Sequence, residues 1–140
     1  MKNPPYEILI VEDNLAHLKL TQYALQKSKV ESTIVVARDG QAALDFLYKR
    51  REEIGEPVLN SPDLILLDLN LPKRDGREVL RLVKQDPSLK EIPVVIVSTS
   101  DREEDISYAQ ENGASYYISK SSDFQKFSVE LGSVTQFIRR

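Results

Sequence analysis

The chain has 140 residues, of which 41% are hydrophobic and 29% charged, and a formal net charge of −3. This suits a single domain with its own core, and the acidic balance gives no field to attract nucleic acid or an anionic membrane. The absence of cysteine and the presence of one histidine, His17, exclude disulfides, thiolate metal sites and multi-histidine sites; no apolar stretch approaches the roughly 20 residues that span a bilayer, and the start MKNPPYE has no signal-peptide core, so the cytoplasm is the expected location.

Apolar runs alternate with helix-period segments along the whole chain. Tyr6–Glu12 reads as a strand. Asn14–Ser28 reads as a helix with Leu18, Thr21, Ala24 and Leu25 on its inner face. The β-branched stretch Ser32–Arg38 is a second strand. Asp39-Gly40 opens the next helix with a good N-cap residue, and Ala43, Leu44, Leu47 and Tyr48 form its apolar stripe. Arg51–Pro62 is expected to be a polar connection, long for a unit of this kind. Asp63–Asp68 is the third strand, Leu71–Asp75 a loop around Pro72, and Gly76–Gln85 a helix with Val79, Leu80 and Val83 inward, ending before Pro87. Ile92–Ser98 is the fourth strand. Ser100 to Glu103 fits a capping box for a helix running to Asn112, with Gly113 as its stop. Ser115–Ser119 is the fifth strand. Ser122 to Gln125 fits another capping box, and the last helix runs from about Asp123 to Ile138. Gly132, which costs about 1 kcal/mol relative to alanine in a helix, marks a place for a bend or break.

Five strand–helix units in strict alternation predict an α/β fold with a parallel sheet and helices on both faces. The first, third and fourth strands are continuously apolar, as strands buried on both faces are. Ligands in such sheets bind beyond the carboxyl ends of the strands, at the switch point. Glu12, Asp13, Asp68 and Ser98 all stand at such ends, and Lys120 directly follows the fifth strand. Like charges held together repel, so three acids at one edge point to a bound divalent cation or to chemistry on one carboxylate. Asp13 and Asp68 are hard oxygen ligands of the kind magnesium prefers, with Glu12 acting through a water and the Asn70 backbone carbonyl completing the protein's share. Asp68 also fits the class of carboxylates that form aspartyl phosphates. Ser98 and Lys120 would then meet phosphoryl oxygens.

These residues resemble the response-regulator receiver family. The motifs that carry the resemblance are the acidic pair in ILIVEDN, the acceptor in LILLDLNLP, the Pro72 and Asp75-Gly76 loop, the hydroxyl in PVVIVST, and the aromatic and lysine of SYYISK. They cover essentially all 140 residues, and five motifs in order are highly specific. The resemblance implies a five-stranded parallel, doubly wound, flavodoxin-like sheet of order 2-1-3-4-5 over a single domain, residues 1–140, with no output domain. It implies that Asp68 accepts a phosphoryl group from a histidine kinase. Glu12 and Asp13 would hold Mg2+ or Mn2+, Ser98 would be the switch hydroxyl with Thr99 its competitor, Tyr117 the switch aromatic and Lys120 the phosphate-sensing lysine. Asn70 and Ser100 are positions that tune phosphoryl lifetime in such families. LDLNLPKRDGREVL and the long connection before the third strand are similar to small regulators paired with bacterial phytochromes, which implies a light-sensing kinase. Receivers often dimerise through the fourth helix, fifth strand and fifth helix; Tyr108, Tyr116 and Phe137 are the candidates for that surface, Phe137 lying off the Phe124, Phe127, Leu131, Val134, Ile138 stripe.

The chain departs from the family at Ser121, where receivers usually carry proline after the lysine. A cis bond before a non-proline costs about 2.5–4 kcal/mol, so either a trans Lys120–Ser121 bond with a shifted loop or a strained cis bond is expected, and placement of the ammonium is in question. Ser121 alone favours a phosphorylation-independent binding module. An aspartyl-nucleophile phosphohydrolase commonly has a second aspartate two residues after the first; that position is Asn70. A flavodoxin-like FMN site needs a hydroxyl- and glycine-rich first loop, and Glu-Asp-Asn has the wrong charge. His17 reads as a solvated or helix-capping residue rather than a phosphoacceptor or ligand.

Overall fold

The computed structural model describes residues 4–54, 62–120 and 123–138. The strands are β1 (Tyr6–Val11), β2 (Ser32–Ala37), β3 (Leu64–Leu67), β4 (Val94–Ser98) and β5 (Tyr116–Ser119). The helices are α1 (Leu15–Lys27), α2 (Gly40–Ile54), α3 (Gly76–Gln85), α4 (Glu103–Glu111) and α5 (Phe124–Gly132), followed by a 3₁₀ turn at Ser133–Phe137. All strand pairs are parallel and the order is β2-β1-β3-β4-β5, as the sequence implied.

Strand period sorts the core into two layers. Leu9, Val11, Ile65, Leu67, Val94 and Ile96 face the side covered by α2, α3 and α4. Their neighbours Ile8, Ile10, Leu64, Leu66, Val95 and Val97 face α1 and α5. Successive side chains on a strand point to opposite faces, so the central strands must be apolar at every position, and β3 and β4 are buried throughout. Edge strand β2 is only partly buried.

Local chemistry sets most helix ends. Asn14 caps α1 by accepting from the His17 N–H, Asp75 caps α3 by accepting from the Arg77 N–H, and Asp39 Oδ1 accepts from the Ala42 N–H at 2.7 Å. Gly113 ends α4's last turn at φ +89, a left-handed setting that suits glycine.

Four expectations change. Helix α2 continues to Ile54, four residues into the expected Arg51–Pro62 connection, because Arg51-Glu52-Glu53 are helix formers and no breaker appears before Gly55. The Ser100–Glu103 capping box does not form: Arg102 holds the cap position of α4 without a side-chain bond, and the Ser100 hydroxyl is engaged elsewhere. Asp123 holds the cap position of α5 and accepts from the Lys126 N–H; Ser122, the first residue of the expected Ser122–Gln125 box, lies outside the described residues. The last helix breaks at Gly132, where α-helix gives way to the 3₁₀ turn, at the residue whose low helix propensity marked it.

Candidate functional site

The chain reverses its direction of travel across the sheet between β1 and β3, so their carboxyl ends open onto one crevice. Backbone ladders carry the acids into it. The Glu12 N–H donates to the Ala37 carbonyl at 3.0 Å and the Asp68 N–H to the Val11 carbonyl at 3.1 Å, each continuing a strand by one step. Oxygens of Glu12, Asp13 and Asp68 lie within 4.8 Å of one another. Glu12 and Asp68 are buried, at 3% and 6% exposure, while Asp13 faces solvent. Arg38, at the end of β2, donates to the Asp13 carbonyl at 2.8 Å and steadies that turn.

Lys120 reaches into this cluster from β5. Its backbone N–H donates to the Ser98 carbonyl at 2.6 Å, and its ammonium lies 2.6 Å from Glu12 Oε1 and 3.1 Å from Asp68 Oδ2. The departure at Ser121 therefore leaves the ammonium at the acids; the Lys120–Ser121 bond itself lies outside the described residues. One cation faces three carboxylates. Burial dominates Glu12, pushing its carboxyl up to about 7 against the opposing bond from Lys120. Three hard oxygen donors with one internal counter-charge fit a divalent cation.

His17 is nearer the site than expected. Its backbone N–H does bond the Asn14 cap, but the ring is half-buried and Nδ1 lies 3.1 Å from the Lys120 ammonium. Burial and the ammonium both lower its pKa, which suits a neutral ring accepting from Lys120. The sequence signal was its position in the first turn of the helix that begins beside Glu12-Asp13.

Of the two neighbouring hydroxyls, Ser98 is fully buried and Thr99 is exposed. Ser98 Oγ accepts from the Ser100 N–H at 3.1 Å. The Asn70 N–H donates to Asp68 Oδ1 at 3.1 Å, fixing the rotamer of that carboxylate. Gly76 is required here: a Cβ on it would lie 2.1 Å from the Asp68 carbonyl oxygen. Tyr117 is partly buried against the α2–α4 layer, and its hydroxyl donates to the Ser100 carbonyl at 2.8 Å.

The three interface candidates separate. Tyr116 is 43% exposed and stacks on Phe137, ring centroids 5.5 Å apart. Phe137 is half-buried rather than exposed, since the 3₁₀ turn brings it onto the sheet edge. Tyr108 turns to α3 and donates to the Arg77 carbonyl at 3.0 Å, away from the other two. Sequence reading missed the group around Asp105. This buried carboxylate joins Ser100, Arg77 and Arg102; the Arg102 pair has helical i,i+3 spacing, but no period reveals the contact with Arg77 of α3.

The family model for the response regulator receiver domain matches residues 8–131. The chain belongs to the response-regulator receiver family. Receivers accept a phosphoryl group in two-component signalling, with a histidine kinase as partner and a divalent metal at the acidic site; they are signalling proteins rather than enzymes of metabolism. Response regulator Rcp1 of Synechocystis is 46% identical over 135 residues, 96% of this chain and 90% of its own length. The receiver is also similar to the solved Mn2+-bound form of Rcp1 (TM-score 0.83, 41% identity, 95% of this chain and 94% of that one). The phosphorylated cyanobacterial phytochrome response regulator RcpA is a further match (TM-score 0.82, 44% identity, 95% and 93% covered). Among the described residues of this receiver no helix is long and apolar enough to cross a membrane.

Proposed function

We propose that residues 1–140 work as a single receiver domain that takes a phosphoryl group on Asp68 and signals through a change at Ser98 and Tyr117. The observation that carries this reading is the meeting of three carboxylates within 4.8 Å with an ammonium 3.1 Å from Asp68. An oxygen of Asp68 attacks phosphorus, the N–P bond of the donor phosphohistidine breaks as the O–P bond forms, and the electron pair returns to the donor imidazole. Glu12, Asp13, Asp68 and the backbone carbonyl of Asn70 would hold Mg2+ or Mn2+, which when bound supplies charge neutralisation on the phosphoryl oxygens.

The product adds nearly two negative charges to a crowded site. Lys120 follows the new charge, giving up part of its hold on Glu12. Ser98 donates its hydroxyl to a phosphoryl oxygen, the space it leaves admits the Tyr117 ring, and the populations of two packings shift. The likeness to RcpA supports a phytochrome-type light-sensing histidine kinase as donor. The exposed Tyr116, stacked on half-buried Phe137, supports a homodimer across α4, β5 and α5. The net charge of −3 supports protein partners rather than nucleic acid or membrane.

The test is mass spectrometry after treatment with acetyl phosphate. A single phosphoryl adduct is expected that requires Mg2+, disappears with chelator and is absent from Asp68→Asn. An adduct of equal yield on Asp68→Asn, or without metal, would overturn the assignment. Phosphotransfer from a phytochrome kinase measured beside other histidine kinases tests the pairing, and light scattering of the same samples tests the dimer: a preference for another kinase, or a monomer in both states, refutes each in turn.

A further inference from the structure

An ammonium has three protons and no lone pair. Among the described residues, three acceptors meet that of Lys120: Glu12 Oε1 at 2.6 Å, Asp68 Oδ2 at 3.1 Å and His17 Nδ1 at 3.1 Å. Two of them belong to the acidic cluster; the third is a ring carried by α1. Because the ammonium can only donate, Nδ1 must accept, which places the ring proton on Nε2. Burial and the ammonium both lower the pKa of the ring, in keeping with a neutral acceptor. The helix delivers this ring firmly. The His17 N–H donates to Asn14 Oδ1 at 3.0 Å, and its carbonyl accepts from the hydroxyl of buried Thr21 at 2.9 Å. The Lys120 side chain is only 4% exposed, so water has little access to it, and a charged donor left without a partner there costs more than an ordinary hydrogen bond. Without the ring, the third proton is satisfied only by turning toward solvent or by taking another carboxylate oxygen, and either moves the ammonium from its present place beside Asp68.

We propose that His17 is a positioning residue for phosphoryl acceptance: as the third acceptor it fixes the Lys120 ammonium beside Asp68, where the phosphoryl oxygens arrive. This rests on the reading above, in which Asp68 takes the phosphoryl group. Charge set in advance where negative charge develops needs no reorganisation during the transfer. The hold comes from a neutral ring, so it adds no fourth negative charge to the site and leaves the positive charge of Lys120 for the phosphoryl oxygens. A bond to a neutral acceptor is also weaker than one to a carboxylate, so the ring directs the ammonium without competing for it.

The test compares two substitutions of one shape in the full chain. His17→Asn keeps an acceptor, since an asparagine Oδ1 stands as many bonds from Cα as Nδ1 does; His17→Leu removes it. One readout is the initial rate of phosphorylation by acetyl phosphate in saturating Mg2+, at about pH 8, above the ordinary histidine range. The other is the nitrogen-15 resonance of the Lys120 ammonium in the metal-free protein, assigned by its absence from Lys120→Met. His17→Leu is expected to lower the rate about tenfold, the worth of a hydrogen bond to a charged group, and to shift or broaden away the ammonium signal. His17→Asn is expected to stay close to the parent protein in both. Leucine is the better helix former of the two, so a role confined to the stability of α1 would make His17→Leu the milder change. The parent rate in a folded His17→Leu, a His17→Asn as slow as His17→Leu, or a slowed His17→Leu with an unchanged ammonium signal would each overturn the proposal. If the parent protein takes no phosphoryl on Asp68, the acceptor reading fails and the effect on rate falls with it, while the ammonium signal still reports whether His17 holds Lys120.

Discussion

At the scale of single residues, the acidic site is an electrostatic conflict held in place by backbone. Glu12 and Asp68 are delivered by strand ladders they cannot escape, and Lys120 divides its ammonium between them. Burial raises the Glu12 carboxyl from 4.5 to about 7, and the Asp68 charge adds to the rise. Between those values the folded protein binds more protons at Glu12 than the unfolded chain does. Stability of the metal-free protein is therefore expected to fall as pH rises from 4.5 to about 7 and to level off above. Asp68→Asn removes one source of the rise, so in chelator it should melt no lower than the parent protein above pH 7 and show a shallower fall. Denaturant melts across that range check this; a less stable Asp68→Asn above pH 7 would refute the conflict.

At the scale of elements, helix starts and ends do the aiming. Asp39-Gly40 and Asp75-Gly76 are both helix openings with an aspartate cap and a glycine pressed against neighbouring backbone. A Cβ on Gly40 would meet the Arg74 carbonyl oxygen at 2.1 Å, as one on Gly76 would meet that of Asp68. Both pin the loop that follows β3. Gly132 differs: a Cβ there would meet only the Ala24 carbonyl oxygen, at 3.8 Å, and its backbone is right-handed helical. Gly132→Ala is expected to stabilise the protein by about 0.5–1 kcal/mol through the unfolded chain, and Gly76→Ala to destabilise it by about 3 kcal/mol through overpacking at the acidic site. Thermal melts of the two variants decide this; equal effects would contradict the difference in crowding.

At the scale of the whole molecule, the sheet lets a local charge be felt at a distance. Glu12 and Lys120 are 108 positions apart and meet because β1 and β5 end at the same edge. A ligand that binds only the folded state stabilises it by about 2.7 kcal/mol at a hundred times its dissociation constant. Mg2+ is therefore expected to raise the melting temperature of the parent protein. Asp13→Asn, which alters the exposed member of the cluster and leaves the buried Glu12–Lys120–Asp68 group intact, should lose most of that rise while keeping its metal-free melt. Calorimetry with and without Mg2+ separates the two; an undiminished rise would remove Asp13 from the metal site.

How much of this was legible follows from the range of each force. Continuous apolar runs at β1, β3 and β4, alternating with helix-period segments, read as strands buried on both faces, and the carboxylates that follow β1 and β3 made the acidic edge readable from period and position. Local caps were readable where competition was absent, as at Asp39. They failed at Ser100, because the helix starts two residues later, at the Arg102 cap, and the Ser100 hydroxyl accepts from the Arg102 N–H while donating to Asp105, itself held by Arg77 from another helix. The burial of Ser98 beside an exposed Thr99, the approach of His17 to Lys120, and the separation of Tyr108 from Tyr116 and Phe137 were likewise decided in three dimensions. Spacing along the chain states which residues share a face. Only the packed helices determine which atoms lie across from it, since those contacts arise between segments whose distance in sequence carries no record of their distance in space.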